Sequence, residues 1–126
     1  MIEQSSGFSI RERNYLSLAL KVAESSSCTQ KHGAVIVRGG SVLAIGYNKW
    51  RQANVVYPIK KNERNNFSVH AEVDALSRVK DAHGAIVYVA RINKQGKEMF
   101  SRPCNECHKS LRKAGVKKVI FTSGKV

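Results

Sequence analysis

The 126-residue sequence predicts an α/β fold, with a mixed sheet of about four strands and helices on both of its faces. Three observations carry that expectation. Segments with helical apolar spacing alternate with short apolar runs of strand length. Two compact motifs, His70-Ala71-Glu72 and Pro103-Cys104-Asn105-Glu106-Cys107, each stand where a helix should open. The length supports one sizeable core and not two, so residues 1–126 read as a single domain whose residues 1–8 form a loose tail.

Ser9 followed by Glu12 is a capping box that opens the first helix. Tyr15, Leu16, Leu18, Ala19, Leu20, Val22 and Ala23 give it one broad buried face, and Ser25-Ser26-Ser27 ends it. A polar loop from Cys28 to His32 feeds a buried strand, Gly33-Ala34-Val35-Ile36-Val37. Arg38-Gly39-Gly40-Ser41 then reads as a hairpin turn into an antiparallel partner, Val42 to Tyr47. Asn48 sits at that strand's end, where a side chain can reach over the sheet edge. On spacing alone it reads first as a turn residue bonding its own backbone.

Residues 49–66 form an irregular, basic connection, long for so small a domain. Trp50 and Tyr57 lie there among Lys49, Arg51, Lys60, Lys61 and Arg64, a mixture that suits stacking on a base and holding a phosphate. It suits a flap packed on its own core equally well. Ser68 is placed to cap a second helix that carries His70 and Glu72 in its first turn and stops after Lys80, before Gly84. Ala85 to Ala90 is apolar throughout, as expected of a strand buried on both faces. Asn93 to Lys97 is a turn. Pro103 fixes the start of a third helix with Cys104 and Cys107 in its first turn, and Gly115 closes it. Val116 to Thr122 is the last strand.

Composition narrows the function classes. The longest apolar runs are four to six residues, far short of a membrane span, and no membrane partner is expected. Met1-Ile2-Glu3-Gln4-Ser5 has an early acid and no apolar signal core. Three cysteines, two of them at C-x-x-C spacing, make no disulfide framework; they fit thiolates in a reducing, cytoplasmic compartment. Twenty-two lysines and arginines against nine acidic residues leave a net charge of +13, which favours phosphorylated substrates or polyanions. The basic residues are spread along most of the chain, so no dedicated nucleic-acid arm stands out.

The two motifs together describe a metal site. One histidine and two cysteines are what a tetrahedral zinc takes when its fourth position is left for water. Cys28 is the one other cysteine, isolated far upstream, and both it and His32 are left out of the ligand set. Glu72, two residues past His70, is placed to shuttle protons beside the metal without binding it. A thioredoxin-like use of the Cys104/Cys107 pair would leave His70 and Glu72 without a role. A purely structural zinc would need no Glu72, although a fourth ligand from Cys28 or His32 would favour it.

H-x-E and P-C-x-x-C, here with 33 residues between His70 and Cys104, resemble the signature of the cytidine deaminase superfamily, and the likeness spans residues 9–123. It implies a three-layer α/β/α fold, with zinc on His70, Cys104 and Cys107 and Glu72 as the catalytic proton shuttle. In that scheme zinc-activated hydroxide attacks the amino-bearing ring carbon. Gly46-Tyr47-Asn48 is similar to the deoxycytidylate deaminase stretch whose asparagine contacts the sugar, which makes Asn48 a substrate contact. Backbone groups near Ala71 and Cys104 would orient the base. The helix between P-C-x-x-C and a further strand resembles the deoxycytidylate and tRNA adenosine deaminase branch, in which the last strands run parallel.

The resemblance thus implies deamination of a cytosine nucleotide or nucleoside such as dCMP. The alternatives are cytosine or adenosine in single-stranded DNA or RNA, including tRNA, or a zinc-stabilised binding module without activity. Relatives in that branch usually continue with another strand or helix past this chain's last residue. The final strand would then be an edge in need of cover, so a homo-oligomer is expected.

Overall fold

A computed structural model describes residues 2–4, 9–28, 30–52 and 66–122. Along the chain run β1 (Ile2–Gln4), α1 (Ile10–Ala23), β2 (Lys31–Arg38), β3 (Ser41–Tyr47), β4 (Lys49–Gln52) and β5 (Asn66–Val69). They are followed by α2 (Ala71–Leu76), β6 (Ile86–Ile92), β7 (Glu98–Met99), α3 (Asn105–Lys113) and β8 (Lys118–Phe121). The main sheet has the order β1-β8-β6-β2-β3, and the short β7 pairs with β6. β2 is antiparallel to both β3 and β6, whereas β8 runs parallel to both β6 and β1. The parallel pairing of the last two long strands is the one expected.

Side-chain alternation divides the core between the faces of the sheet. On one face Leu16, Ala19 and Val22 of α1 pack on Val35, Val37, Tyr88, Ala90 and Ile120. On the other, Ala71 and Ala75 of α2 and Leu111 of α3 pack on Ala34, Ile36, Val87, Val89, Val119 and Phe121. The result is three layers, α/β/α. The central strand β6 is largely buried because helices cover it on both sides. α1 opens with the capping box: Ser9 Oγ accepts from the Glu12 N–H at 3.2 Å, and Glu12 Oε1 accepts from the Ser9 N–H at 2.9 Å.

Two glycines let the helices settle on the sheet. A Cβ on Gly33 would stand 2.1 Å from the Ala19 carbonyl oxygen, and one on Gly46 would stand 2.4 Å from the Ala75 nitrogen. Gly33 faces α1 and Gly46 faces α2. The adjacent strands β2 and β3 thus accept a helix backbone on each face within one residue of register.

Several expectations change. Residues 2–4 are not tail but a strand, pairing Ile2, Glu3 and Gln4 with Val119, Ile120 and Phe121. With β1 and the short β7 added, the sheet has six strands where about four were expected. The β8 edge that called for a homo-oligomer is covered by this same chain. The connection after Asn48 is not irregular from its start, since Lys49–Gln52 pairs with Asn66–Val69 as a separate antiparallel ribbon. Tyr57, Lys60, Lys61 and Arg64 lie outside the described residues. Ser68 lies in β5, and the N-cap of α2 is His70 instead.

That helix also ends four residues early. Ser77 Oγ donates to the Asp74 carbonyl at 2.6 Å, and Arg78 and Val79 bond back only three residues, which tightens the chain out of the α conformation. No helix among the described residues is long and apolar enough to cross a membrane.

The Gly46 contact makes a test of this packing. Gly46→Ala should force α2 off β3 and lower stability by about 1–3 kcal/mol, the usual scale of overpacking. Thermal melting reads the loss. A variant melting with the native protein would show that the helix is not seated on that glycine.

Candidate metal centre and cavity

α2 and α3 both cover the same face of the sheet, and each begins with a polar residue of the two motifs. His70 leaves β5 in an extended conformation (φ −72°, ψ 150°), and its side chain makes no capping bond. The ring is therefore available to the neighbouring helix. Cys104 is the N-cap of α3, its Sγ accepting from the Cys107 N–H at 3.5 Å. Nδ1 of His70 stands 3.0 Å from Cys107 Sγ and 3.6 Å from Cys104 Sγ. All three donor atoms lie within 4.8 Å of one another. Tetrahedral zinc, with bonds of about 2.0–2.3 Å, asks for donor separations of about 3.5–3.8 Å, so a small relaxation of this cluster fits the ion. Neither Cys28 nor His32 belongs to the cluster.

The electrostatics point the same way. Glu72, just 5% exposed, is walled into the base of the cluster. Burial raises its carboxyl above the usual range, while its own backbone N–H, His70 and Cys107 pull in the opposite direction. Burial also raises the Cys107 thiol strongly, and the neighbouring Glu72 and Cys104 add to that. A buried carboxyl and a buried thiol side by side cannot both be anions without a counter-charge. A divalent cation on the three donors supplies one.

Above the cluster opens a cavity of about 340 Å³. Its wall contains His70, Ala71, Glu72 and Cys104, with Cys28, Gln30, His32 and Asn48 from the start and end of the β2–β3 hairpin, and Ser101 and Arg102 from the segment before α3. Asn48 is buried and does not bond its own backbone. Its Nδ2 donates to the Gln30 carbonyl at 2.7 Å and its Oδ1 accepts from the His32 N–H at 2.8 Å. It thus clips the chain leading into β2 to the end of β3, and one amide proton remains for the cavity. Ala71 is fully buried at the start of α2. Burial, with Arg91 and His70 nearby, lowers His32 to about 4, so its ring is neutral at pH 7.

The sequence reading passed over several residues that hold these walls. Asp74 is buried on α2 and accepts from the Tyr47 N–H at 3.2 Å; Lys49 Nζ lies 3.2 Å away and Arg78 Nη2 3.4 Å away. The i,i+4 spacing to Arg78 was visible in the chain, but it reads as a surface pair. Ser101 and Thr122 are buried together, Oγ to Oγ1 at 2.7 Å, and Ser101 Oγ also donates to the Val89 carbonyl at 2.9 Å. Arg91 ties Gln30 Oε1, at 3.0 Å from Nε, to the Phe100 carbonyl, at 3.4 Å from Nη1. No local pattern marks these partners, because each lies in a separate element.

Comparison with known proteins agrees with this geometry. Residues 9–123 match the family model described as the cytidine and deoxycytidylate deaminase zinc-binding region. Human deoxycytidylate deaminase is 32% identical over 117 residues, covering 84% of this chain and 60% of its own length. The chain therefore spans about 60% of the length of the curated relatives it matches. Among solved structures, the apo form of dCMP deaminase from the cyanophage S-TIM5 superposes with a TM-score of 0.65 at 27% identity, covering 89% of this chain and 82% of that one. Cytidine deaminase from Mycobacterium tuberculosis, at 19% identity and TM-score 0.56, covers 90% of this chain and 85% of its own and shares the fold. With a zinc-type His/Cys/Cys cluster opening two helices of this fold, the chain belongs to the cytidine and deoxycytidylate deaminase family.

Proposed function

We propose that the protein is a zinc-dependent hydrolytic deaminase of a cytosine nucleotide or nucleoside, built as one deaminase domain. The observation that carries the reading is Glu72, a buried carboxyl set against a three-donor cluster at the floor of an open cavity. A structural zinc would have no use for it. Support for the pyrimidine comes from the relatives, among them the cyanophage enzyme solved in complex with dCMP and dUMP.

His70, Cys104 and Cys107 would hold the ion. Bound there, zinc supplies a water whose pKa is drawn down toward about 7. Glu72 would take a proton from the attacking water as the water's oxygen adds to C4 of the base. It would pass that proton to the ring nitrogen and then carry the second, from the newly added hydroxyl, to the departing amine, so that ammonia leaves and a uracil product remains. The raised proton affinity that burial gives Glu72 suits a group that must hold and release a proton in each turnover. Asn48 and Ala71 line the cavity, and the Asn48 side chain and the Ala71 backbone would orient the sugar and the base.

Three measurements test the reading. Cys104→Ala and Cys107→Ala should each lose bound zinc; elemental analysis finding native zinc content in both would remove the site. Glu72→Gln should keep zinc and the native melting temperature while ammonia release falls at least about 10²–10⁴-fold, the scale of a lost general acid–base. Activity within tenfold of native would exclude Glu72 as the shuttle. With dCMP, cytidine and single-stranded DNA and RNA offered side by side, the monomer should be turned over. Strand binding should stay weak, without the steep salt dependence of about −0.7 per phosphate contact that a polymer substrate would impose. Turnover of oligonucleotides alone would reverse the choice of substrate in favour of the strand.

A further inference from the structure

The wall of the cavity contains one permanent cation that the proposed chemistry does not use. Among the described residues lining it, Arg102 is the only lysine or arginine. Its backbone is held on both sides. Ser101, immediately before it, is buried, with its N–H donating to the Thr122 carbonyl at 3.1 Å and its Oγ accepting from the Thr122 N–H at 2.9 Å. Pro103, immediately after it, has a fixed φ and leads into the ligand Cys104. The Arg102 side chain, by contrast, is exposed and makes no hydrogen bond or ion pair with any described residue.

The neighbouring basic groups are not comparable. His32 is neutral, and Lys49 gives its charge to Asp74 at 3.2 Å, with its ammonium 4.3 Å from the centre of the Tyr47 ring. A guanidinium on a fixed backbone, lining the cavity with its five donors unspent, matches the oxygens of a phosphate. Arg102 is two residues from Cys104, within about 7 Å between Cα atoms, so an anion held there lies a short span from the base. A cavity of about 340 Å³ is at the small end of ligand sites and has room for one nucleotide rather than a run of strand.

We propose that Arg102 is a specificity-determining residue of the site, binding the 5′-phosphate of a pyrimidine nucleoside monophosphate whose base reaches Glu72. The assignment rests on the deaminase reading above and adds to it the substrate's charge and the residue that selects it.

The test compares native protein, Arg102→Ala and Arg102→Lys in steady-state kinetics on dCMP and deoxycytidine, with dUMP binding measured by calorimetry on the same preparations. The ratio of kcat/KM for dCMP over deoxycytidine should fall about 10- to 100-fold in Arg102→Ala, the scale of a lost charged hydrogen bond. The fall should appear mainly in KM, and Arg102→Lys should recover part of it. Affinity for dUMP should fall by a similar factor. A ratio within threefold of native, or an equal loss on both substrates, overturns the assignment. So does a loss on cytosine within an oligonucleotide without one on dCMP. If the native protein deaminates no cytosine compound, the deaminase reading falls. Arg102 is then judged on dUMP alone, and affinity indifferent to Arg102→Ala overturns its role.

Discussion

At Gly46 the backbone of α2 lies so close to β3 that a Cβ there would stand 2.7 Å from the Ala71 carbonyl oxygen as well as 2.4 Å from the Ala75 nitrogen. The position of the candidate metal cluster depends on that contact. Ala71 and Ala75 are both completely buried against the sheet, so the start of α2 has no freedom to lift or rotate. His70 and Glu72 flank Ala71 and inherit its position. α3 is anchored on the same core through Leu111, which brings Cys104 and Cys107 to the place where His70 points. Three donors from two helices meet because both helices rest on one apolar face.

Polar interactions then fix the walls that apolar packing leaves loose. Asp74, buried one turn from His70, draws the Tyr47 N–H and Lys49 to itself and so binds the end of β3 to α2. Asn48 does the same for the chain entering β2. On the opposite wall Ser101 and Thr122 bond each other in the interior, and Arg91 reaches across from β6 to both sides. Buried polar groups of this kind are costly when unpaired, so each network holds its segments in one arrangement. The cavity is consequently shaped in good part by residues other than the three donors and Glu72.

The candidate site was legible in the chain because its motifs are local. His70 and Glu72 are two residues apart, Cys104 and Cys107 three, and each pair opens a helix whose start was marked within a few residues. The capping box of α1, the β2–β3 hairpin and the buried β6 were legible for the same reason. The reading failed where local signals were weak or misleading. Ser68 looked like a helix cap, yet the chain stays extended through Val69 because β5 pairs with β4. Val79 continued a helical pattern that Ser77 cuts short by bonding back to Asp74.

Residue types and spacing alone therefore determined the α/β class, the candidate donors His70, Cys104 and Cys107, and the carboxyl of Glu72 near them. Tertiary structure decided the rest. Ile2–Gln4 have no pattern of their own and become a strand only because the β8 edge, whose residues pair with them across 117 positions of sequence, offers them a ladder. Asn48 serves the backbones of Gln30 and His32 instead of its own turn, and Lys49 is drawn from the cavity to Asp74. Arg102 is left facing that cavity without a partner among the described residues. A sequence records which groups are available; which of them find partners depends on contacts between distant segments, and these exist only once the sheet has formed.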